Sequence, residues 1–119
     1  MICNITLVIT GASAGIGLAT AKECARRKAR VVLACRNKEK AEEAIEEIQN
    51  ETKNNDLHFV DLDLASLSSV RQCAIDIIQL FDKVDVLVNN AGLFLLKYIV
   101  TRGSHALKNY LFFFHTGVY

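Results

Sequence analysis

Thr10-Gly11-Ala12-Ser13-Ala14-Gly15-Ile16-Gly17 is the stretch on which the fold turns. Before it, Ile5-Thr6-Leu7-Val8-Ile9 is a short apolar, β-branched run, which predicts a strand buried on both faces. After it, from Gly15 to about Ala29, small and helix-forming residues follow one another with no breaker past Gly17, which predicts a helix. A glycine triplet between strand and helix has a direct physical reading. Gly11 permits a tight turn out of the strand, Gly15 lets backbone approach a pyrophosphate, and Gly17 lets the helix pack closely on the sheet. The N–H groups at the helix start, at the positive end of its dipole, would hold the phosphates. Ser13 can add a hydroxyl hydrogen bond, and Thr10 and Ile16 belong to the same candidate loop.

The pattern repeats outward from this unit. Val31-Val32-Leu33-Ala34-Cys35 predicts a second buried strand, with Asn37 placed to cap a following helix. In that helix Ala41, Ala44, Ile45 and Ile48 fall at i, i+3, i+4 and i+7, one apolar stripe. Glu42, Glu43, Glu46 and Glu47 lie mostly on the other face and read as solvated. Asn50 to Asp56 reads as a polar turn, and Leu57 to Leu62 as a third strand. Ser66 or Ser68 is placed to cap a third helix whose expected stripe is Leu67, Val70, Ala74, Ile77, Ile78 and Phe81. Val84 to Val88 predicts a fourth strand, running into Asn89-Asn90-Ala91-Gly92. Strands alternating with amphipathic helices predict an α/β chain: a partial Rossmann fold, a doubly wound parallel sheet of about four strands. Right-handed crossovers give the strand order 3-2-1-4. From Leu93 neither a helical stripe nor a clean alternation emerges, so residues 1–92 are expected to form the nucleotide-binding segment and 93–119 an irregular tail.

Three further positions at strand ends carry chemistry. A carboxylate at the end of the second strand would accept from the adenosine ribose hydroxyls of NAD. Here Cys35 stands there and Arg36 follows, so a guanidinium is available to pair with a 2′-phosphate. This favours NADP(H) over NAD(H). Lys38 and Lys40 either reinforce that positive field or are simply solvated. At the end of the third strand, Asp63 can accept from an adenine amino group or cap a helix, with Leu64 beside it. At the fourth, the amide of Asn90 can lock the strand end to its neighbours, while Ala91 and Gly92 are small enough to leave room for a ribose.

Composition excludes other classes. The chain has 119 residues, room for one modest domain, and its 14 Lys and Arg against 13 Asp and Glu give no support to binding nucleic acid or a membrane surface. The basic run Arg26-Arg27-Lys28 reads as charge at a helix C-terminus. Cys3, Cys24, Cys35 and Cys73 have no C-x-x-C spacing, and His58, His105 and His115 are scattered, so no metal site is expected. Neither a signal peptide nor the ~18 uninterrupted apolar residues of a spanning helix is visible, which leads to the expectation of a cytoplasmic protein.

Together these signals resemble the short-chain dehydrogenase/reductase family. Its T-G-x-x-x-G-x-G pattern is matched by Thr10, Gly11, Gly15 and Gly17, its N-N-A-G element by Asn89 to Gly92, and its acidic position before the third helix by Asp63. Leu33-Ala34-Cys35-Arg36-Asn37 and the run from Leu62 to Arg71 resemble the retinol dehydrogenase and WW-domain oxidoreductase branch. That resemblance covers residues 5–92. It implies an NADP(H)-dependent oxidoreductase acting on retinoid, steroid or lipid-derived alcohols or carbonyls. Two departures stand against it. Family enzymes use a Tyr-x-x-x-Lys pair as acid/base, yet Tyr98 is followed four residues on by Arg102, Tyr110 by Phe114, and Tyr119 ends the chain. Residue 14 is alanine, where many NADP-preferring members carry a basic residue. The resulting expectation is a truncated member, the cofactor-binding half, inactive alone. The alternative is a non-catalytic nucleotide-binding or interaction module that pairs with a full-length relative.

Overall fold

The computed structural model describes residues 4–91, together with the backbone of residues 99–100 and 106–107. Its elements run β1 (Thr6–Thr10), α1 (Gly15–Arg26), β2 (Arg30–Cys35), α2 (Lys38–Thr52), β3 (Leu57–Asp61), α3 (Leu67–Leu80) and β4 (Val86–Val88). The four strands form one parallel sheet in the order β3-β2-β1-β4. Two further strands, β5 (Ile99–Val100) and β6 (Ala106–Leu107), pair antiparallel with each other in the region where no pattern was legible.

Why the helices seat where they do follows from side-chain size. Ala21 and Ala25 of α1 and Ala41 and Ala44 of α2 are buried against Leu7, Ile9, Val31 and Leu33 on one face of the sheet. Alanine at these positions lets two helices share that face, and Ile48 fills the space between them. On the other face Val8, Val32, Ala34 and Val60 meet Cys73 and Phe81, with Val70 and Ile77 packed alongside. Each fully buried large side chain, Ile9 or Leu33 for example, contributes about 1.5–3 kcal/mol relative to exposure.

Helix ends use the expected chemistry. Asn37 caps α2, its side-chain oxygen accepting from the Lys40 N–H at 3.0 Å, and Ser66 caps α3 by accepting from the Ser69 N–H. Arg26 and Arg27 lie at the C-terminal end of α1, where the dipole favours cations. The polar turn before β3 does more than its composition suggests. The Asn54 side chain is buried, donating to the Ala25 and Ala29 carbonyls at 3.0 and 2.9 Å and accepting from the Asp56 N–H at 2.8 Å. It thereby joins the end of α1 to the start of β3.

The expected stripe of α3 is corrected. Leu67 is 40% exposed and Ile78 is 75% exposed, while Cys73, absent from the expected stripe, is the buried residue. The packed line is Val70, Cys73, Ile77 and Phe81. Leu67, Ala74, Ile75, Ile78 and Leu80 make α3 apolar on several sides at once, so periodicity alone could not choose the inward face.

β4 is shorter than the run from Val84 suggests, because Asp85 is spent on an anchor. Its carboxylate accepts from the Thr6 N–H at 2.8 Å, its own N–H donates to the Thr6 carbonyl at 2.9 Å, and Lys83 pairs with it at 3.1 Å. The Thr6 N–H, then Lys83, hold this carboxyl below its ordinary value of 3.8. A carboxyl so depressed stabilises the fold above its unfolded value, and that contribution is lost as pH falls through the folded one. Asp85→Asn is therefore expected to lower Tm at neutral pH, with the gap from the parent closing as pH drops below 3.8. Thermal melts of both proteins across that range check it; a gap that persists in acid counts against the anchor.

Candidate cofactor-binding site

In a parallel sheet every strand delivers its C-terminal end to the same edge. That edge carries the glycine loop after β1, Arg36 after β2, Asp63 and Leu64 after β3, and Asn90 and Ala91 after β4. Gly92 lies outside the described residues, as do Lys97 and Tyr98.

Thr10 organises the junction of β1 with β4. Its hydroxyl donates to the Val88 carbonyl at 3.4 Å and accepts from the N–H groups of Asn90 and Ala91, each at 3.0 Å. The Asn90 side-chain amide donates to the carbonyls of Thr10 and Gly11 at 3.2 and 3.3 Å. The Gly11 N–H donates to the Ala34 carbonyl at 2.9 Å, fastening the loop to β2 as well. Thr10 and Asn90 thus shape the loop through contacts within the protein. The shape of Thr10 is that of valine, so sequence alone gave no sign that its hydroxyl holds two strand ends together. Thr10→Val is expected to cost about 1–3 kcal/mol, since the part-buried Ala91 N–H loses its acceptor and the Asn90 N–H keeps only the Val88 carbonyl at 3.1 Å, whereas Thr10→Ser keeps the hydroxyl. Urea unfolding of the pair tests this; a loss in Thr10→Ser with none in Thr10→Val would mean the methyl group, not the hydroxyl, matters.

The three glycines divide their tasks by geometry. Gly11 has φ +64°, and a Cβ there would lie 3.0 Å from the Ala91 Cα. At Gly17 a Cβ would come within 2.5 Å of the Asn90 amide nitrogen and 2.6 Å of the Gly11 carbonyl oxygen, so α1 can approach this closely only without a side chain. Gly15 has φ +59° and is the opposite case, because a Cβ there meets nothing within 4 Å. The loop is open over Gly15, at the first residue of α1, and leaves a cradle beside N–H groups that α1 does not satisfy. Ser13 is half-buried, and Ile16 is exposed over the same opening. This arrangement fits the phosphates of a dinucleotide.

At the end of β2 the Cys35 side chain turns into the core under α1 and α2. Burial, and secondarily the charge of Asp61, pushes its thiol up to about 11, so it stays protonated and inert at neutral pH. Arg36 is exposed at the edge and forms no ion pair or hydrogen bond among the described residues. Lys38 faces Glu42 at 3.8 Å. Asp63 is held in a turn: its carboxylate accepts from the Ala65 N–H at 3.0 Å and its N–H donates to the Ser69 hydroxyl at 2.8 Å. Ser66, not Asp63, caps α3, and Leu64 is exposed beside it. Among the described residues no cluster of His, Cys, Asp and Glu could hold a metal ion, and no helix is long and apolar enough to cross a membrane.

Comparison with known proteins bears on this edge. The family model for short chain dehydrogenases matches residues 5–110, running past Gly92, where the resemblance read from the sequence stopped. Human retinol dehydrogenase 13 is 49% identical over 87 residues, covering 73% of this chain and 26% of that protein. Human dehydrogenase/reductase SDR family member 13 is 50% identical over 88 residues, covering 74% of this chain and 23% of that one. The chain thus spans about a quarter to a third of the length of the curated relatives it matches. Among solved structures, L-sorbose reductase from Gluconobacter frateurii, complexed with NADPH and L-sorbose, is similar with a TM-score of 0.71 at 33% identity, over 78% of this chain and 35% of that one.

Proposed function

The chain belongs to the short-chain dehydrogenase family, and from that premise we propose that residues 1–92 are its NADP(H)-binding segment, one half of an oxidoreductase site. The observation that carries the reading is the open cradle over Gly15 beside the start of α1, on the same sheet edge as an exposed and unpaired Arg36. The backbone N–H groups after Gly15, with Ser13, hold the pyrophosphate. Arg36 pairs with the 2′-phosphate, Asp63 and Leu64 border the adenine, and Ala91 and Gly92 leave space for a ribose. NADP(H), when bound, supplies hydride transfer; the described residues bind and orient it. The NADPH of the sorbose reductase complex supports a nicotinamide dinucleotide here, and Arg36 supports the phosphorylated form over NAD(H).

The retinol dehydrogenase relatives support a retinoid alcohol or carbonyl as substrate, within the retinoid, steroid or lipid-type range that the resemblance implies. The 119 residues contain no Tyr-x-x-x-Lys, so by themselves they bind cofactor without turning substrate over. A thermal-shift titration with NADPH and NADH tests the core of this reading, with a larger rise expected for NADPH. No cooperative transition, or no rise with either, overturns it. Arg36→Ala is expected to weaken NADPH binding by about 1.5–3 kcal/mol, the range for a hydrogen bond to a charged group, and to leave NADH nearly unchanged. Equal losses for both cofactors would remove Arg36 from the 2′-phosphate.

A further inference from the structure

β3 forms the side of the sheet opposite β4, and it is an open edge among the described residues. Its parity is set by two bonds: the Asp56 carbonyl accepts from the Val31 N–H and the Leu62 N–H donates to the Cys35 carbonyl, each at 3.1 Å. Main-chain groups of alternate residues turn to the same side of a strand. His58 and Val60 therefore serve β2, and the N–H and C=O groups of Leu57, Phe59 and Asp61 face outward. Beside this row runs a groove of about 230 Å³, lined by Phe59, Val60 and Asp61 of the strand and by Asp76, Gln79 and Leu80 of α3.

An edge strand flanked by a helix is the geometry that takes up an extended peptide by strand addition. Of the usual protections of such an edge β3 lacks lysine and proline, and its charged side chain, Asp61, is itself part of the groove. Both charged groups of the groove are carboxylates. Asp61 has no ion pair among the described residues, and Asp76 accepts only from the neutral Gln72 amide, at 2.9 Å. Leu80 is 64% exposed, an apolar wall for a side chain to rest on.

We propose that this groove docks an extended basic segment of another protein, which adds as a strand to β3 and sets its cations against Asp61 and Asp76. A second copy of β3 fits less well, since it would bring a further carboxylate and no lysine or arginine to the groove. The proposal does not depend on the cofactor site, which lies after the strand ends.

The test is fluorescence anisotropy with a labelled, end-capped peptide of valine and threonine flanked by lysine pairs, titrated with the 119-residue chain. A lysine pair presents one side chain to each face of the added strand. Saturable binding is expected, weakened about tenfold by Asp61→Asn with Asp76→Asn, two exposed-type ion pairs being lost. Leu80→Ser is expected to weaken it independently, and N-methylation of alternate peptide amides to abolish it. Equal binding of a glutamate-flanked peptide, or of the N-methylated one, overturns the proposal. So does a dimer of the chain that Leu80→Ser dissolves, which would make the occupant a second copy.

Discussion

Gly17→Ala is expected to lower Tm by roughly 10–20 °C, the largest effect of an added methyl group at any of the three loop glycines. The reason is local and steric. The new Cβ would lie 2.5 Å from the Asn90 amide nitrogen, 2.6 Å from the Gly11 carbonyl oxygen and 3.0 Å from the Ala12 Cα. Two of these are backbone atoms of the loop itself, and the third belongs to a side chain already bonded to the carbonyls of Thr10 and Gly11. No flexible side-chain end can yield, so α1 must move off the sheet or the β1–β4 junction must open. Overpacking of this kind costs about 1–3 kcal/mol, with the upper end expected where main chain is the obstacle. A change in Tm within about 2 °C would mean that α1 sits less tightly than its contacts indicate.

Gly15→Val should do the reverse: remove cofactor binding while leaving most of the fold. Nothing lies within 4 Å of a Cβ at residue 15, so no packing is disturbed. The cost to stability comes from φ +59°, about 1–2 kcal/mol for an L-residue and more for a β-branched one. The cost to binding comes from three carbon atoms placed where a pyrophosphate must approach the N–H groups of α1. An increase in Kd for NADPH of roughly a hundredfold or more is expected, equivalent to about 2.7 kcal/mol. Gly15→Ala provides the milder comparison. An unchanged Kd in a folded Gly15→Val protein would remove the phosphates from this loop. The two glycines, two residues apart in one motif, are thus separated by measurement: one governs Tm, the other Kd.

Much of this arrangement was legible in the chain itself. The runs at residues 5–9 and 31–35 became strands because they are almost wholly apolar and rich in β-branched residues, as a sheet covered on both faces requires, while the run at 57–62, which carries His58 and Asp61, became the strand at the sheet's side. The stripe of α2 was legible because Ala41, Ala44 and Ile48 stand out against glutamates. The α3 stripe was not, because apolar residues surround that helix and only its seat on β2 and β3 selects Val70, Cys73, Ile77 and Phe81. Asn54 looked like an ordinary turn residue. Two of its side-chain hydrogen bonds reach Ala25 and Ala29, and contacts across 29 and 25 positions leave no mark in a local pattern.

By itself, then, the sequence determined the element order, the strand order and the edge at which a ligand can be held. These follow from periodicity, from the handedness of crossovers and from a glycine spacing that acts within a few residues. The order of the glycines in the motif already gave Gly15 to the phosphates and Gly17 to close helix packing; only the tertiary structure decided which atoms enforce that division. Asn90, some seventy residues away, packs over Gly17 and leaves Gly15 uncovered. The same holds for Thr10, whose hydroxyl acquires its task only when β4 is laid beside β1. Local propensity writes the elements, but a side chain's task depends on what the folded chain brings within 3 or 4 Å of it, and that is a property of the packing.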